Sequence, residues 1–406
     1  MKKFLAAALA LCMTSAALTS CGDSNSSSAA DSNSAAANSQ ASDSSAADTE
    51  SVSDKLLAEY PASTEKIDVK NGATENMIAR SVINEGDTSR LAAKLDYALQ
   101  NPKETTKICF IGDSITAGSG ANSSTNQYVN QFKSWWEENI SFYVDVTNAG
   151  IGATTSQFGV ARVQEHVLDK QPDLVFVEFS VNDSSSPLFM ETYESLVRRL
   201  LKAESVKAVV LINNLFYDTG TNAQGIHNAI GLHYDLPIVS VRNYIFPEIQ
   251  LGNVCLADYT ADMLHPTDLG HKMIADLICN LLDTEYSYYK KLGAEKKPAL
   301  PEPFTASRYE DAQRFQNYSC SPVMEGFEPD THAAEQWSDP FKGGWIAHKQ
   351  GSCIKFNVSG GIIMLQYRKT INKPAPVAYA VIDGDRQNKV LLDANFDEDW
   401  GDLCCL

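Results

Sequence analysis

The 406-residue chain has little positive charge: its 33 lysines and arginines are outnumbered by 51 aspartates and glutamates, for a net charge of −18. An acidic chain without a basic stripe repels a phosphate backbone, so the sequence argues against a nucleic-acid-binding protein. No Gly-Lys-Ser/Thr follows its glycine-rich turns, which argues against a phosphate-binding loop. His166, His227 and His233 are not spaced with cysteines or carboxylates as metal ligands are, and we expect neither a metal nor a cofactor.

The nine cysteines show no recognisable pattern. Cys12 and Cys21 lie near the start of the chain, and the remaining seven are an odd number without the spacing of a disulfide framework or a metal site. Cys109 and Cys279 fall in apolar segments and are expected to be small core residues. The sequence therefore indicates no disulfide pairing.

The apolar run at the start of the chain, residues 4–17, is too short to span a bilayer comfortably and follows two lysines. The next residues, Leu-Thr-Ser-Cys ending at Cys21, resemble a bacterial lipoprotein signal, in which cleavage before the cysteine leaves a thiol that carries a diacylglycerol. We expect residues 1–21 to be this signal and the mature protein to be exported and lipid-anchored through Cys21 at the cell membrane or cell surface. An ordinary secretory signal is the alternative interpretation.

Two segments without candidate catalytic residues follow the predicted signal. Residues 22–53 consist almost entirely of Ser, Ala, Asn and Asp, and such a segment buries too little apolar surface to fold, so we expect a disordered tether. Residues 54–104 contain apolar residues at helical spacing, for example Leu91, Leu95 and Leu99, and Pro102 is expected to end that helix. They are predicted to form a helical N-terminal extension.

A serine follows the first clear strand signal of the chain. Residues 107–111 are mostly apolar and β-branched or aromatic, which predicts a buried strand, and Ser114 lies where that strand turns toward a helix. A hydroxyl held at the carboxyl end of a parallel strand suits a nucleophile. The alternative is a glycine-rich turn in which Ser114 only caps a helix. A Gly-x-Ser-x-Gly elbow is excluded because residue 116 is threonine.

A second chemical segment, Asp262-x-x-His265, precedes the last predicted helix of this region. An aspartate three residues before a histidine can orient the imidazole on one short turn. Together with Ser114, these residues supply a nucleophile, a general base and the group that orients the base.

These two segments, read with two others between them, resemble the SGNH (GDSL-type) hydrolase superfamily. Gly-Asp-Ser-Ile-Thr at residues 112–116 is similar to its first block, and residues 148–155 are similar to its glycine block. Residues 179–183 are similar to its Gly-x-Asn-Asp block, with Ser180 in place of the usual glycine. The functional glycine is Gly150 or Gly152, and we prefer Gly152. The resemblance implies an oxyanion hole formed by Ser114, Gly152 and Asn182.

Strand and helix signals alternate regularly from residue 105 to residue 290, which favours a parallel sheet covered on both faces. Strands are predicted at 107–111, 142–147, 173–179, 208–212 and 237–241, and helices at 127–139, 160–169, 193–203, 222–234 and 268–282. The resemblance independently implies an α/β fold, a flavodoxin-like three-layer α/β/α sandwich with a five-stranded parallel sheet.

The pattern changes after this domain. Residues 291–303, with their lysines and prolines, are predicted to be a linker. Residues 304–406 contain short strand signals at 353–358, 361–367 and 378–382, which favour an antiparallel β-sandwich. This stretch resembles the jelly-roll-like domains attached to some SGNH carbohydrate esterases, and we expect it to be short or truncated. Its aromatic residues, such as Trp345 and Trp400, either bind glycan or fill the core.

The sequence therefore predicts a serine esterase that hydrolyses acyl esters, in particular O-acetyl esters on carbohydrate, through Ser114, His265 and Asp262. The expected partners are an acylated glycan or another small ester and, through Cys21, the membrane. Two alternatives remain: an acyltransferase of the same family and a non-catalytic glycan-binding surface lipoprotein. The sequence does not indicate an oligomeric state.

Overall fold

The computed structural model describes residues 52–68, 73–289, 299–334 and 337–406. The predicted lipoprotein signal with Cys21, and most of the tether, lie outside these residues, so lipid anchoring stays a prediction. Within the described ranges, no helix combines the length and the apolar character needed to cross a membrane. The predicted domain boundaries also stay predictions.

A six-stranded sheet forms the centre of the first domain. Its strands are β1 (Val82–Asn84), β2 (Thr106–Gly112), β3 (Val144–Gly150), β4 (Leu174–Glu178), β5 (Ala208–Asn213) and β6 (Ile238–Ser240). The order across the sheet is β1-β6-β5-β4-β2-β3; the strands from β2 to β6 are parallel to their neighbours, and β1 is antiparallel to β6. The predicted α/β fold with five parallel strands is confirmed, and β1 adds a sixth.

Helices cover both faces of this sheet. They are α1 (residues 52–59), α2 (Glu75–Ser81), α3 (Ser89–Gln100), α4 (Ser114–Ala117), α5 (Tyr128–Asn139), α6 (Ser156–His166), α7 (Pro187–Lys202), α8 (Gln224–His233), α9 (Val241–Gln250), α10 (Leu256–Tyr259) and α11 (Asp268–Tyr289). Alternating side chains of the strands supply two cores, because successive residues of a strand point to opposite faces. In β2, Ile108 and Phe110 belong to the core under α3, α5 and α11, whereas Cys109 and Ile111 belong to the core under α6, α7 and α8.

The N-terminal extension is joined to the sheet more closely than its helical pattern predicts. Besides α2 and α3 it contains β1, which pairs with β6 at the sheet edge. Arg80 of α2 is fully buried and donates to the Glu248 carboxylate of α9 at 2.6 Å, and also to the carbonyl oxygens of Asn243 and Tyr244. A buried ion pair with its donors satisfied holds the extension in place.

The C-terminal region is antiparallel β structure, as predicted. Its strands are β7 (Val323–Glu325), β8 (Phe327–Pro329), β9 (Trp345–Ala347), β10 (Cys353–Lys355), β11 (Tyr367–Lys369), β12 (Val377–Ala380), β13 (Val390–Asp393) and β14 (Leu403–Cys405). They pair as β7 with β10, β8 with β9, β11 with β14 and β12 with β13. Trp345 packs edge-on against Phe356, and Trp400 packs edge-on against Phe396, so both tryptophans contact other aromatic side chains of this region.

Charged side chains of α7 hold the start of the C-terminal region against the first domain. The buried Glu194 carboxylate accepts a hydrogen bond from the backbone N–H of Thr305 at 2.7 Å. Arg308 donates to Glu191, and Arg198 donates to Glu310 at 2.8 Å. These contacts fix the segment that enters the second domain.

Candidate active site

The site lies at the carboxyl ends of the central strands. Ser114 begins α4 two residues after β2 ends, and Asn182 follows β4. β2 lies between β3 and β4, so the chain reverses its direction of travel across the sheet there. Crevices at such switch points are where open α/β sheets bind ligands. The Asp113 side chain caps α4 by accepting from the backbone N–H of Ile115 at 2.9 Å, which sets the first turn.

Ser114, His265 and Asp262 form one hydrogen-bonded chain. The Ser114 Oγ lies 2.9 Å from His265 Nε2, and His265 Nδ1 lies 2.6 Å from Asp262 Oδ2. If Nδ1 carries the proton and donates to the carboxylate, Nε2 is free to accept from the serine hydroxyl. The two segments that the sequence singled out therefore meet at one edge of the sheet.

The turn from Asp262 to His265 is built around the carboxylate. Its Oδ1 atom accepts hydrogen bonds from the backbone N–H groups of Leu264 at 3.0 Å and His265 at 2.6 Å. Burial raises the pKa of Asp262, but the hydrogen bonds and charge of His265 outweigh it and lower the pKa to about 2. Met263 has a φ of +66°, a strained conformation for a side chain with a Cβ, and its carbonyl accepts from Tyr217 N–H at 2.8 Å.

The loop after α4 is pressed against the turn that carries His265. Gly120 has a φ of +94°, and a Cβ there would lie 2.3 Å from the Pro266 carbonyl oxygen, so only glycine allows this approach. Asn122 donates from its backbone and its side chain to the Asp268 carboxylate at 2.8 and 2.9 Å. These contacts hold the loop after α4 against the turn that carries His265.

The two candidate glycines differ in what surrounds them. A Cβ on Gly150 would lie 2.2 Å from the Ala117 backbone nitrogen, so this glycine is required for packing against α4. A Cβ on Gly152 would meet only the Ser114 Cβ, at 3.8 Å. Gly152 is therefore the glycine that borders the serine side chain, and its functional role stays a prediction.

Three candidate hydrogen-bond donors belong to Ser114, Gly152 and Asn182. In the described part of the chain, neither the Ser114 N–H nor the Gly152 N–H has an acceptor. The Asn182 side-chain nitrogen donates to the Thr154 carbonyl at 3.1 Å, which leaves its second N–H for another acceptor. Ser180, which stands where the resemblance leads us to expect glycine, is fully buried, and its hydroxyl donates to the Asn214 carbonyl. The extra hydroxyl therefore has a hydrogen-bond acceptor of its own.

Two buried carboxylic acids lie next to the segment that carries Ser114. Asp113 and Glu178 are both fully buried and lie close enough for each to shift the pKa of the other. Burial raises the pKa of Asp113, and the charge of Glu178 raises it further; burial also raises the pKa of Glu178. Thr116 donates to Glu178 at 3.0 Å and contacts the Tyr128 hydroxyl at 2.9 Å. The sequence did not reveal this pair, because Asp113 follows β2 and Glu178 ends β4, far apart in the chain.

The remaining polar residues of the motifs have structural contacts. Asp183 accepts from the backbone N–H of Ser156 at 2.9 Å, at the start of α6, and contacts the buried His227 Nε2 at 3.1 Å. His271 is fully buried, so it packs inside rather than at the surface, and it contacts the Ser119 carbonyl at 3.1 Å. Across the ranges that the structure describes, no three His, Cys, Asp or Glu side chains are grouped to hold a metal ion.

Comparison with known proteins identifies relatives of both regions. Residues 110–273 match the GDSL-like Lipase/Acylhydrolase family. The chain is similar to the crystal structure of a two-domain esterase active on acetylated mannans, with 42% sequence identity, a TM-score of 0.75 and coverage of 79% of this chain and 86% of the esterase. A structure of such an esterase co-crystallized with mannopentaose gives 43% identity, a TM-score of 0.75 and coverage of 80% and 86%. No curated protein sequence matches the chain significantly.

Proposed function

Because the chain belongs to the GDSL-like lipase/acylhydrolase family, we propose that it is a serine esterase that removes O-acetyl groups from a polysaccharide. The observation that carries this proposal is the hydrogen-bonded chain from Ser114 through His265 to Asp262, with distances of 2.9 and 2.6 Å. These are the distances at which a serine, a general base and its orienting carboxylate act together.

In the proposed reaction, the Ser114 oxygen forms a bond to the ester carbonyl carbon while His265 Nε2 takes the hydroxyl proton. The tetrahedral intermediate then collapses, and its carbon–oxygen bond to the sugar breaks as His265 returns the proton to the departing alkoxide. Water attacks the acyl-serine in the same way, with His265 again the base, and releases acetate and free Ser114. Asp262 stays ionised, because its pKa of about 2 lies far below neutral pH, and it stabilises the imidazolium.

We further propose that the N–H groups of Ser114 and Gly152 and the Asn182 amide bind the negative oxygen of the intermediate. The first two have no acceptor in the described chain, and Asn182 has a second N–H available beyond its bond to Thr154. Donors that are already in place lower the barrier because they need no reorganisation as the charge forms.

The substrate assignment is supported by the relatives. Two solved structures that are 42% and 43% identical to this chain are esterases active on acetylated mannans. We therefore propose an acetylated mannan, or a polysaccharide with the same acetylated hydroxyl geometry, as the substrate of this chain.

The test measures acetate released from acetylated mannan, acetylated xylan and O-acetylated peptidoglycan by the wild-type protein, S114A and S123A. Ser123 is an exposed serine of the neighbouring loop whose hydroxyl contacts Thr125, so S123A is the matched control. We expect release from mannan by the wild type and S123A, and none above background by S114A. Equal release by S114A would refute the proposal. A free-sugar acceptor added to the same assay distinguishes acyl transfer, which forms new acetyl sugar, from hydrolysis.

We also propose that the mature protein is exported and anchored by a lipid on Cys21. Palmitate labelling of the expressed full chain tests this: we expect label in the wild type and none in C21S. Unlabelled wild-type protein with an intact N-terminus would contradict the anchor without affecting the proposed esterase.

A further inference from the structure

A buried arginine joins the two strands that lead into the site. Arg162 lies on α6 and is fully buried. Its Nη1 atom donates to the Ala149 carbonyl at 2.6 Å, and its Nη2 atom donates to the Gly112 carbonyl at 3.0 Å. One guanidinium group therefore binds the ends of β2 and β3 at once.

These two carbonyls stand directly before the proposed oxyanion donors. Gly112 ends β2, two residues before Ser114, and Ala149 is three residues before Gly152. The paired register of the strands ends with Gly112 opposite Gly150, and one further bond, from Ile151 N–H to the Gly112 carbonyl at 3.1 Å, extends it. Arg162 therefore binds both strands at the last residues of their ladder, next to the segments that carry the two N–H groups.

Among the residues that the structure describes, no carboxylate forms an ion pair with Arg162. In the described chain its polar contacts are the two carbonyls and His166 Nδ1 at 3.3 Å, with no carboxylate among them. Burial, followed by the charge of Arg162, lowers the pKa of His166 to about 3, so the imidazole is neutral and accepts. Burial lowers the pKa of Arg162 to about 9, which still leaves it cationic at neutral pH.

Stability alone does not explain why an arginine occupies this position. An apolar side chain of similar length would avoid the desolvation of a buried charge. A guanidinium group, however, presents two parallel N–H donors in a rigid plane, and it can hold two acceptors at a fixed separation. Neither an apolar side chain nor a lysine, which is a single point of charge, can do so.

We infer that Arg162 is a positioning residue that fixes the distance between the Ser114 and Gly152 N–H groups. The inference rests on the proposed function, since it requires that these groups bind the oxyanion. Arg162 touches neither substrate nor reacting atoms; it acts through the backbone of β2 and β3.

The test compares R162K and R162M with R199M, using p-nitrophenyl acetate. Arg199 is the matched control because its Nη1 atom also donates to two carbonyls, those of Val160 and Ala312, at 2.8 and 2.7 Å. We expect kcat to fall about tenfold to hundredfold in both Arg162 variants with KM within about twofold, because misplaced donors weaken only the transition state. R199M should keep the wild-type kcat. Affinity for a boronic acid that forms a tetrahedral adduct should fall in parallel with kcat.

Folded Arg162 variants that keep the wild-type kcat would overturn the inference, while an active wild type and inactive S114A would leave the proposed function intact. If neither variant folds, a crystal structure of the wild-type protein phosphonylated at Ser114 decides. We expect both Arg162 bonds to persist and both N–H groups to bind the same adduct oxygen. Loss of the Arg162 bonds in that adduct would overturn the inference.

Discussion

Replacing Asn182 by alanine tests the proposed oxyanion hole through one side chain. The Asn182 amide has two N–H donors, of which one binds the Thr154 carbonyl at 3.1 Å. In the proposed transition state the other binds the negative oxygen. The substitution therefore removes one structural bond and one catalytic bond, which have separate measurable effects.

N182A should lose little stability and much of its kcat. An ordinary hydrogen bond contributes about 1 kcal/mol to the free energy of unfolding, so N182A should be destabilised by about that amount. Loss of one oxyanion donor raises the barrier by about 3 kcal/mol, which lowers kcat on the order of a hundredfold. KM should change little, because the bond forms only as charge develops.

The assay is steady-state hydrolysis of p-nitrophenyl acetate, with urea unfolding of the same samples. N182D keeps the side-chain shape but turns an acceptor and a negative charge toward the oxyanion, so it should lose at least as much activity as N182A. Asn222 donates from its side chain to the Asn214 carbonyl at 2.6 Å in another loop, and N222A should lose stability alone. A folded N182A protein with more than a third of the wild-type kcat would refute the role of Asn182.

Three further predictions concern stability. The pKa of Asp262 is about 2 in the folded state, against an ordinary value of 3.8. Its ionised form therefore contributes about 2 kcal/mol to the free energy of unfolding above pH 4, and this contribution is lost as the pH falls toward 2. Urea titrations should show this loss in the wild type and not in D262N. Burial raises the pKa of Glu178, so the folded state holds a proton that the unfolded state releases. Wild-type stability should therefore fall as the pH rises above the ordinary carboxyl range, and the stability of E178Q should fall less; equal slopes would contradict the raised pKa. E248A removes the ionic partner of the buried Arg80 and should lower the free energy of unfolding by about 3–5 kcal/mol. R80M/E248L replaces both charges by apolar side chains and should lower it less.

The sequence predicted the parts of the fold that depend on local pattern. The apolar runs at 107–111 and 208–212 became β2 and β5 with shifts of at most one residue at either end, because both are central strands buried on both faces. The edge strand β3 was predicted two to three residues too early: Phe142 is 74% exposed, and the ladder instead runs through polar residues to Gly150. β1 was missed, since three residues that pair at a sheet edge carry no periodicity of their own.

The candidate site was predictable where its residues are close in sequence or share a recognised block. Ser114, Asp262 and His265 are of this kind, and the structure brings them within hydrogen-bonding distance. α6 begins at Ser156, four residues before the predicted start, because Asp183 from another loop caps it. Arg162 was missed for a related reason: its partners are backbone carbonyls of two strands, and backbone contacts leave no signature in the side-chain pattern.

The most direct test of the account is covalent labelling with a fluorophosphonate, followed by mass spectrometry of the labelled peptide. We predict one adduct, on Ser114, and a labelling rate that falls at least about a hundredfold in H265Q, because the hydroxyl loses the base that takes its proton. An adduct on a different serine, or an unchanged rate in folded H265Q, would contradict the central claim that Ser114 and His265 act as one unit.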